Sequence, residues 1–177
     1  GSQKALAMPP GLALFSVSER AFERAQQTEG RGYYFDFLEF RSNHDKGMTP
    51  STPVIPLIHA LKHTLEKIVN EGVANRHKRH EELNQLVHQW VASKGFELLP
   101  MSEFASKSLT CVRNNLEIDV AGFVKKLREE KKISIDGGYG KIKGKTFRIS
   151  NMGDETVHSI NHLLTNMDEV LSQFLPA

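Results

Sequence analysis

The stretch from Val54 to Val91 constrains the fold more than any other part of the chain. Val54, Leu57 or Ile58, Leu61, Leu65, Ile68 or Val69 and Val73 recur at helical spacing, and the pattern resumes through Leu83, Leu86 or Val87, Trp90 and Val91. A 3.6-residue apolar period predicts one long amphipathic helix or a pair. Gly72 is placed to bend it, and Gly95 stands where a helix C-terminus favours glycine. This stretch is expected to separate two structural parts.

Before it, Pro9-Pro10-Gly11 makes a corner that neither a helix nor a central strand would tolerate. Residues 12–17 are expected to form a short buried strand. Ser18 is expected to cap a helix over Glu19 to Gln27, with Glu19 favourably placed against the helix dipole. Tyr33 to Leu38 is aromatic-rich and compatible with a strand or a short helix. Residues 41–53 are polar, carry Gly47, Pro50 and Pro53, and predict a loop long enough to suggest function.

After Gly95 the pattern predicts a strand near 96–99 and another near 108–113, a helix over about 119–131 capped by Asp119, strands near 133–136 and 145–150, and a helix over 154–174 capped by Asp154. Val120, Phe123, Val124 and Leu127 should be buried on the first helix. Val157, Ile160, Leu164, Met167, Leu171 and Phe174 should be buried on the second. Helices laid on one face of a small, mostly antiparallel sheet make an α+β domain.

Composition narrows the function classes. The 177 residues carry 23 basic and 21 acidic side chains, a formal net charge of +2, which is no footprint for nucleic acid. No apolar run approaches the ~20 residues that span a bilayer, so no membrane partner is expected, and the N-terminus lacks the order of a signal peptide. The single Cys111 excludes an internal disulfide and is expected to be a buried structural thiol, consistent with a reducing cytoplasm. His59/His63 and His158/His162 share i,i+4 spacing, but no cysteine cluster or zinc-protease pattern accompanies them, so no metal is expected. Gly137-Gly138-Tyr139-Gly140, followed by Lys141, Lys143 and Lys145, does not open a helix as phosphate loops do. It predicts a turn feeding a strand.

Three motifs occur in order along the chain. Ser2-Gln3-Lys4 precedes Pro9-Pro10-Gly11-Leu12 and Ser18-Glu19-Arg20-Ala21; Met48-Thr49-Pro50-Ser51-Thr52-Pro53 leads into the long helix; Gly138-Tyr139-Gly140-Lys141-Ile142-Lys143-Gly144-Lys145-Thr146-Phe147-Arg148-Ile149 lies near the end. Together they resemble the carboxy-terminal part of class V, fold type I, pyridoxal-phosphate-dependent aminotransferases of the alanine/serine–glyoxylate kind. The resemblance spans essentially the whole chain. It departs at Ser150-Asn151-Met152-Gly153, where that family often has Gly-His-Met-Gly. The family's aspartate to the pyridine nitrogen, its ring-stacking aromatic and its main phosphate loop all precede the lysine, and no residue of this chain takes those roles.

The resemblance implies that residues 1–50 are the end of a large cofactor domain carrying the Schiff-base lysine, 51–95 are linking amphipathic helices, and 96–177 are a small α+β domain. It implies Lys4 as the catalytic residue that holds pyridoxal 5'-phosphate. Gln3 and Thr49 would contact that cofactor, Thr52 would reach its phosphate across a homodimer, and Arg148 would bind the substrate carboxylate. A planar guanidinium fits a carboxylate bidentately, which lysine does not do. The implied partners are a small amino acid (alanine or serine) and a 2-oxo acid (glyoxylate or pyruvate). The 177-residue chain alone is expected to be inactive. Two other readings stand beside this one: a non-catalytic domain acting with a partner chain, and a family member with lyase chemistry.

Overall fold

The computed structural model describes residues 1–175, which fall into two compact units, one over Gly1–Leu65 and one from Glu66 onward.

In the first unit Ser2 is fully buried and fastens the proline corner. Its hydroxyl donates to the Pro9 carbonyl at 2.8 Å, its backbone N–H donates to Leu12 O at 3.0 Å, and its Oγ accepts from Leu12 N–H at 3.2 Å. Residues 12–17 are extended but form no ladder among the described residues, and Leu14 and Phe15 are exposed. The expected strand lacks a neighbour to take its backbone hydrogen bonds, and a strand does not exist without one. Helix α1 (Glu19–Gln26) begins at Ser18, whose Oγ accepts from Ala21 N–H. The aromatic run resolves as a turn leading into helix α2 (Phe37–His44), capped by Asp36, whose Oδ1 accepts from Leu38 N–H at 2.9 Å. Arg31 pairs with the same carboxyl at 3.0 Å and, against some burial, holds it below the ordinary carboxylate range. The two helices meet through Arg41, which pairs with Glu19 and lies over the Phe22 ring, and Phe15 of the preceding segment packs edge-on against Phe40 of α2. The expected loop over 41–53 therefore starts only after His44.

Helix α3 (Ile55–Glu71) and helix α4 (Val73–Ser93) realise the long helical pattern. Gly72 separates them at φ +81°, a left-handed conformation that costs glycine nothing. The better-covered stripe of α3 runs through Leu57, Leu61, Thr64 and Ile68, while Leu65 and Val69 stay exposed.

The core lies in the second unit. Helix α4 contributes Leu83, Val87, Trp90 and Val91. Strands β1 (Glu97–Leu98), β2 (Leu109–Arg113) and β3 (Thr146–Ser150) pair antiparallel in the order β1-β2-β3, with Cys111 opposite Arg148. Helix α5 (Val120–Lys131) and helix α6 (Val157–Leu171) supply Phe123, Leu127, Ile160 and Met167. Alternation on β3 sends Phe147 and Ile149 into this core, and Phe147 meets Phe96 and Phe123 edge-on.

Val157 on α6, expected to be buried, is exposed, and three further local expectations change. Residues 133–136 form one isolated bridge, Asp136 to Arg148, in which the Asp136 carbonyl accepts from Arg148 N–H just before the chain turns at Gly137-Gly138. Helix α6 is capped by Thr156 in a reciprocal capping box with Ser159, not by Asp154. Cys111 is only half-buried, since it points to the face of β2 opposite Val112.

Asp154 serves an ion-pair cluster instead, bonded to Lys67 and 3.6 Å from Arg76. At the centre of that cluster Glu71 accepts from Arg79 Nε at 2.7 Å and from Arg76 Nη1 at 2.9 Å. Arg79 also donates to the carbonyls of Glu155 and Gly153, tying the α3–α4 break to the start of α6. Arg79 first, then Arg76, hold the Glu71 carboxyl at about 2 against the opposing effect of burial. A carboxyl depressed in the folded state adds stability above its unfolded value, and that stability is lost as the pH falls through the folded value. The chain should therefore lose about 1–2 kcal/mol from this group between roughly pH 4.5 and 2, after allowing for solvent screening. Urea midpoints measured at pH 7 and pH 3 should differ less in Glu71→Gln than in the unsubstituted chain. An equal acid loss in both would remove Glu71 as its source.

Candidate active site

Lys4 stands at the start of a 3-10 turn, Lys4–Leu6, with φ +68°. Ala7 closes that turn at φ +54° and donates its N–H to Lys4 O at 2.8 Å. Two left-handed non-glycine residues so close together cost about 1–2 kcal/mol each and persist only where neighbours over-determine them. The buried Ser2 and the proline corner it fastens do so here. The result is an exposed lysine on a strained turn.

Gln3 is exposed beside it. Thr49 and Thr52 lie between α2 and α3 and are both exposed, and Thr49 Oγ1 donates to the Ser51 carbonyl at 2.6 Å. An open groove of about 530 Å³ in this unit is lined by Phe15, Phe22, Phe40, Met48 and Thr49 among others. Of the candidate residues Lys4, Gln3, Thr49 and Thr52, Thr49 alone is on that lining.

In the second unit Arg148 projects from β3 on the face away from the core, opposite Cys111. It is already engaged. Nη2 lies 2.9 Å and Nε 3.2 Å from Asp136 Oδ1, and the Tyr139 ring covers one face of the guanidinium at 4.5 Å. Burial pushes the Asp136 carboxyl up, but hydrogen bonds from the Tyr139 hydroxyl, Gly138 N–H and Arg148 outweigh it and leave the group below its ordinary range. Burial likewise disfavours the Arg148 charge, and Asp136 more than restores it. Sequence reasoning missed Asp136 and Tyr139. The available signal was an acid directly before Gly137-Gly138, a turn that returns the chain antiparallel to the arginine strand. Among the described residues no group of three or more His, Cys, Asp or Glu side chains is placed to hold a metal ion, and no helix is long and apolar enough to cross a membrane.

Comparison with known proteins adds a second line of evidence. No protein-family model matches the sequence. An uncharacterised aminotransferase of Methanocaldococcus jannaschii is 36% identical over 155 residues, covering 86% of this chain and 40% of that protein. The serine–glyoxylate aminotransferase of Methylorubrum extorquens is 31% identical over 160 residues, 87% of this chain and 40% of that protein. Among solved structures, an alanine–glyoxylate aminotransferase from Nostoc sp. superposes with a TM-score of 0.89 at 28% identity, covering 96% of this chain and 46% of the other. The chain thus spans less than half the length of the proteins it matches.

Proposed function

We propose, for a chain that is related in sequence and fold to the carboxy-terminal part of class V aminotransferases of the alanine/serine–glyoxylate group, that the protein containing it transfers an amino group between small substrates. The donor is alanine or serine, the acceptor glyoxylate or pyruvate, and the cofactor pyridoxal 5'-phosphate. The observation that carries this reading is Lys4, an exposed amine on a turn clamped in a strained conformation.

When bound, pyridoxal phosphate supplies a reactive carbonyl and an electron-withdrawing ring that acidifies the substrate α-proton. Lys4 Nζ would hold it covalently and, as a free amine, would carry the proton from the substrate α-carbon to the carbonyl-derived carbon of the cofactor. Gln3 and the Thr52 hydroxyl would donate to its phosphate, Thr52 from the second subunit of a homodimer, and the Thr49 hydroxyl would do so only on leaving the Ser51 carbonyl it now donates to. Arg148 fixes the substrate carboxylate and so orients the α-proton. In this reading residues 1–50 close the large cofactor domain, 51–95 link, and 96–177 form the small domain. A cytoplasmic setting suits the single Cys111.

The test is amino transfer by the full-length protein supplied with pyridoxal phosphate. Glycine should form from glyoxylate at the expense of alanine or serine, and only with cofactor present. No glycine with either donor would sink the reading.

A further inference from the structure

The Arg148 guanidinium is not presented as a whole. Asp136 occupies its side-on edge, since Nε and Nη2 both point to one oxygen, Oδ1, at 3.2 and 2.9 Å. The same oxygen accepts from Gly138 N–H at 2.7 Å, so three donors fix it. The backbone repeats the link, with Arg148 N–H donating to Asp136 O at 2.7 Å. Tyr139 then covers one face of the guanidinium plane. The turn that makes this possible tolerates only glycine at position 138. Its φ is +81°, and a Cβ there would lie 2.5 Å from Thr146 Oγ1 and 2.9 Å from Ile142 O.

One edge and one face of the fork are therefore held by the protein, and the end-on edge, Nη1 with Nη2, is the one from which a second carboxylate can be gripped bidentately. A free arginine side chain has rotamer freedom that ligand binding would otherwise have to overcome. We propose that Asp136 is a positioning residue: together with Tyr139 it locks Arg148 so that its end-on edge receives the carboxylate of the amino-acid substrate. This rests on the function proposed above. Asp136 acts through Arg148 and touches no reacting atom.

The test is a substitution series at Asp136 in the full-length protein with pyridoxal phosphate. Asp136→Ala should raise the KM for the amino donor about tenfold or more while kcat changes less than about threefold. Asp136→Asn keeps an oxygen in the place of Oδ1 and should recover KM to within about threefold of the unsubstituted protein. Independently of activity, the Arg148 Nε–H, followed by NMR in protein labelled at arginine, should exchange faster with water in the alanine variant and not in the asparagine variant. Unchanged KM and unchanged exchange in Asp136→Ala would overturn the proposal. So would a joint fall of kcat and unfolding midpoint with KM unmoved. If the unsubstituted protein transfers no amino group, the proposed function fails, and the exchange measurement still decides the positioning role by itself.

Discussion

Replacing Lys4 with alanine in the full-length protein is expected to lower amino transfer by about a thousandfold or more, because one side chain both holds the cofactor and moves the proton. Stability should hardly change. The Lys4 side chain is exposed, and alanine at φ +68° is as strained as lysine. Lys4→Gly separates the two contributions further: glycine relieves the strain, so that variant should unfold at slightly higher denaturant and yet remain inactive. Lys4→Arg should also fail. A guanidinium stays protonated at any working pH and offers neither a nucleophile nor a base. Rates and urea midpoints for the three variants check the set, and a Lys4→Ala enzyme within tenfold of the unsubstituted rate would contradict it.

The second large effect is expected at Arg148. Lysine in its place keeps the charge but loses the planar fork, and hydrogen bonds to charged groups contribute about 1.5–3 kcal/mol. The KM for the amino donor should therefore rise about 10- to 100-fold, with kcat less affected. Arg148→Ala should be worse, because the Asp136 carboxyl, 2.9 Å from Nη2 in the folded chain, then faces the incoming carboxylate with like charge. Steady-state kinetics with alanine and serine measure both variants. A lysine variant with unchanged KM would remove Arg148 from substrate binding.

What the sequence made legible follows the range of the forces involved. The α3–α4 pair, its break at Gly72, and the caps Ser18 and Asp119 are local features, decided within a few residues, and they stand where the pattern puts them. The cap of α6 was misassigned for a tertiary reason. Asp154 and Thr156 are both competent, but Asp154 is drawn to Lys67 on α3 while Thr156 finds a reciprocal partner in Ser159. Residues 12–17 and 133–136 have strand-like composition, yet strand formation depends on neighbours that local sequence does not reveal.

The candidate site divides in the same way. Lys4, Thr49, Thr52 and Arg148 are visible through motif and alternation. The left-handed backbone at Lys4 is not, because lysine disfavours it and it depends on contacts such as those of Ser2 with Pro9 and Leu12, which sequence does not display. Nor is the carboxylate beside Arg148. Asp136 reaches that arginine from twelve residues upstream, and only because the turn through Gly138 brings the chain back. Cys111 stands in the expected strand but is half-buried and not buried, since Leu109-Thr110-Cys111-Val112 carries no clean alternation to orient it.

The most direct measurement is borohydride reduction of the full-length protein with pyridoxal phosphate, followed by digestion and peptide mass analysis. The account predicts one equivalent of pyridoxyl label, on Lys4. Label on another lysine, or none at saturating cofactor, would contradict it.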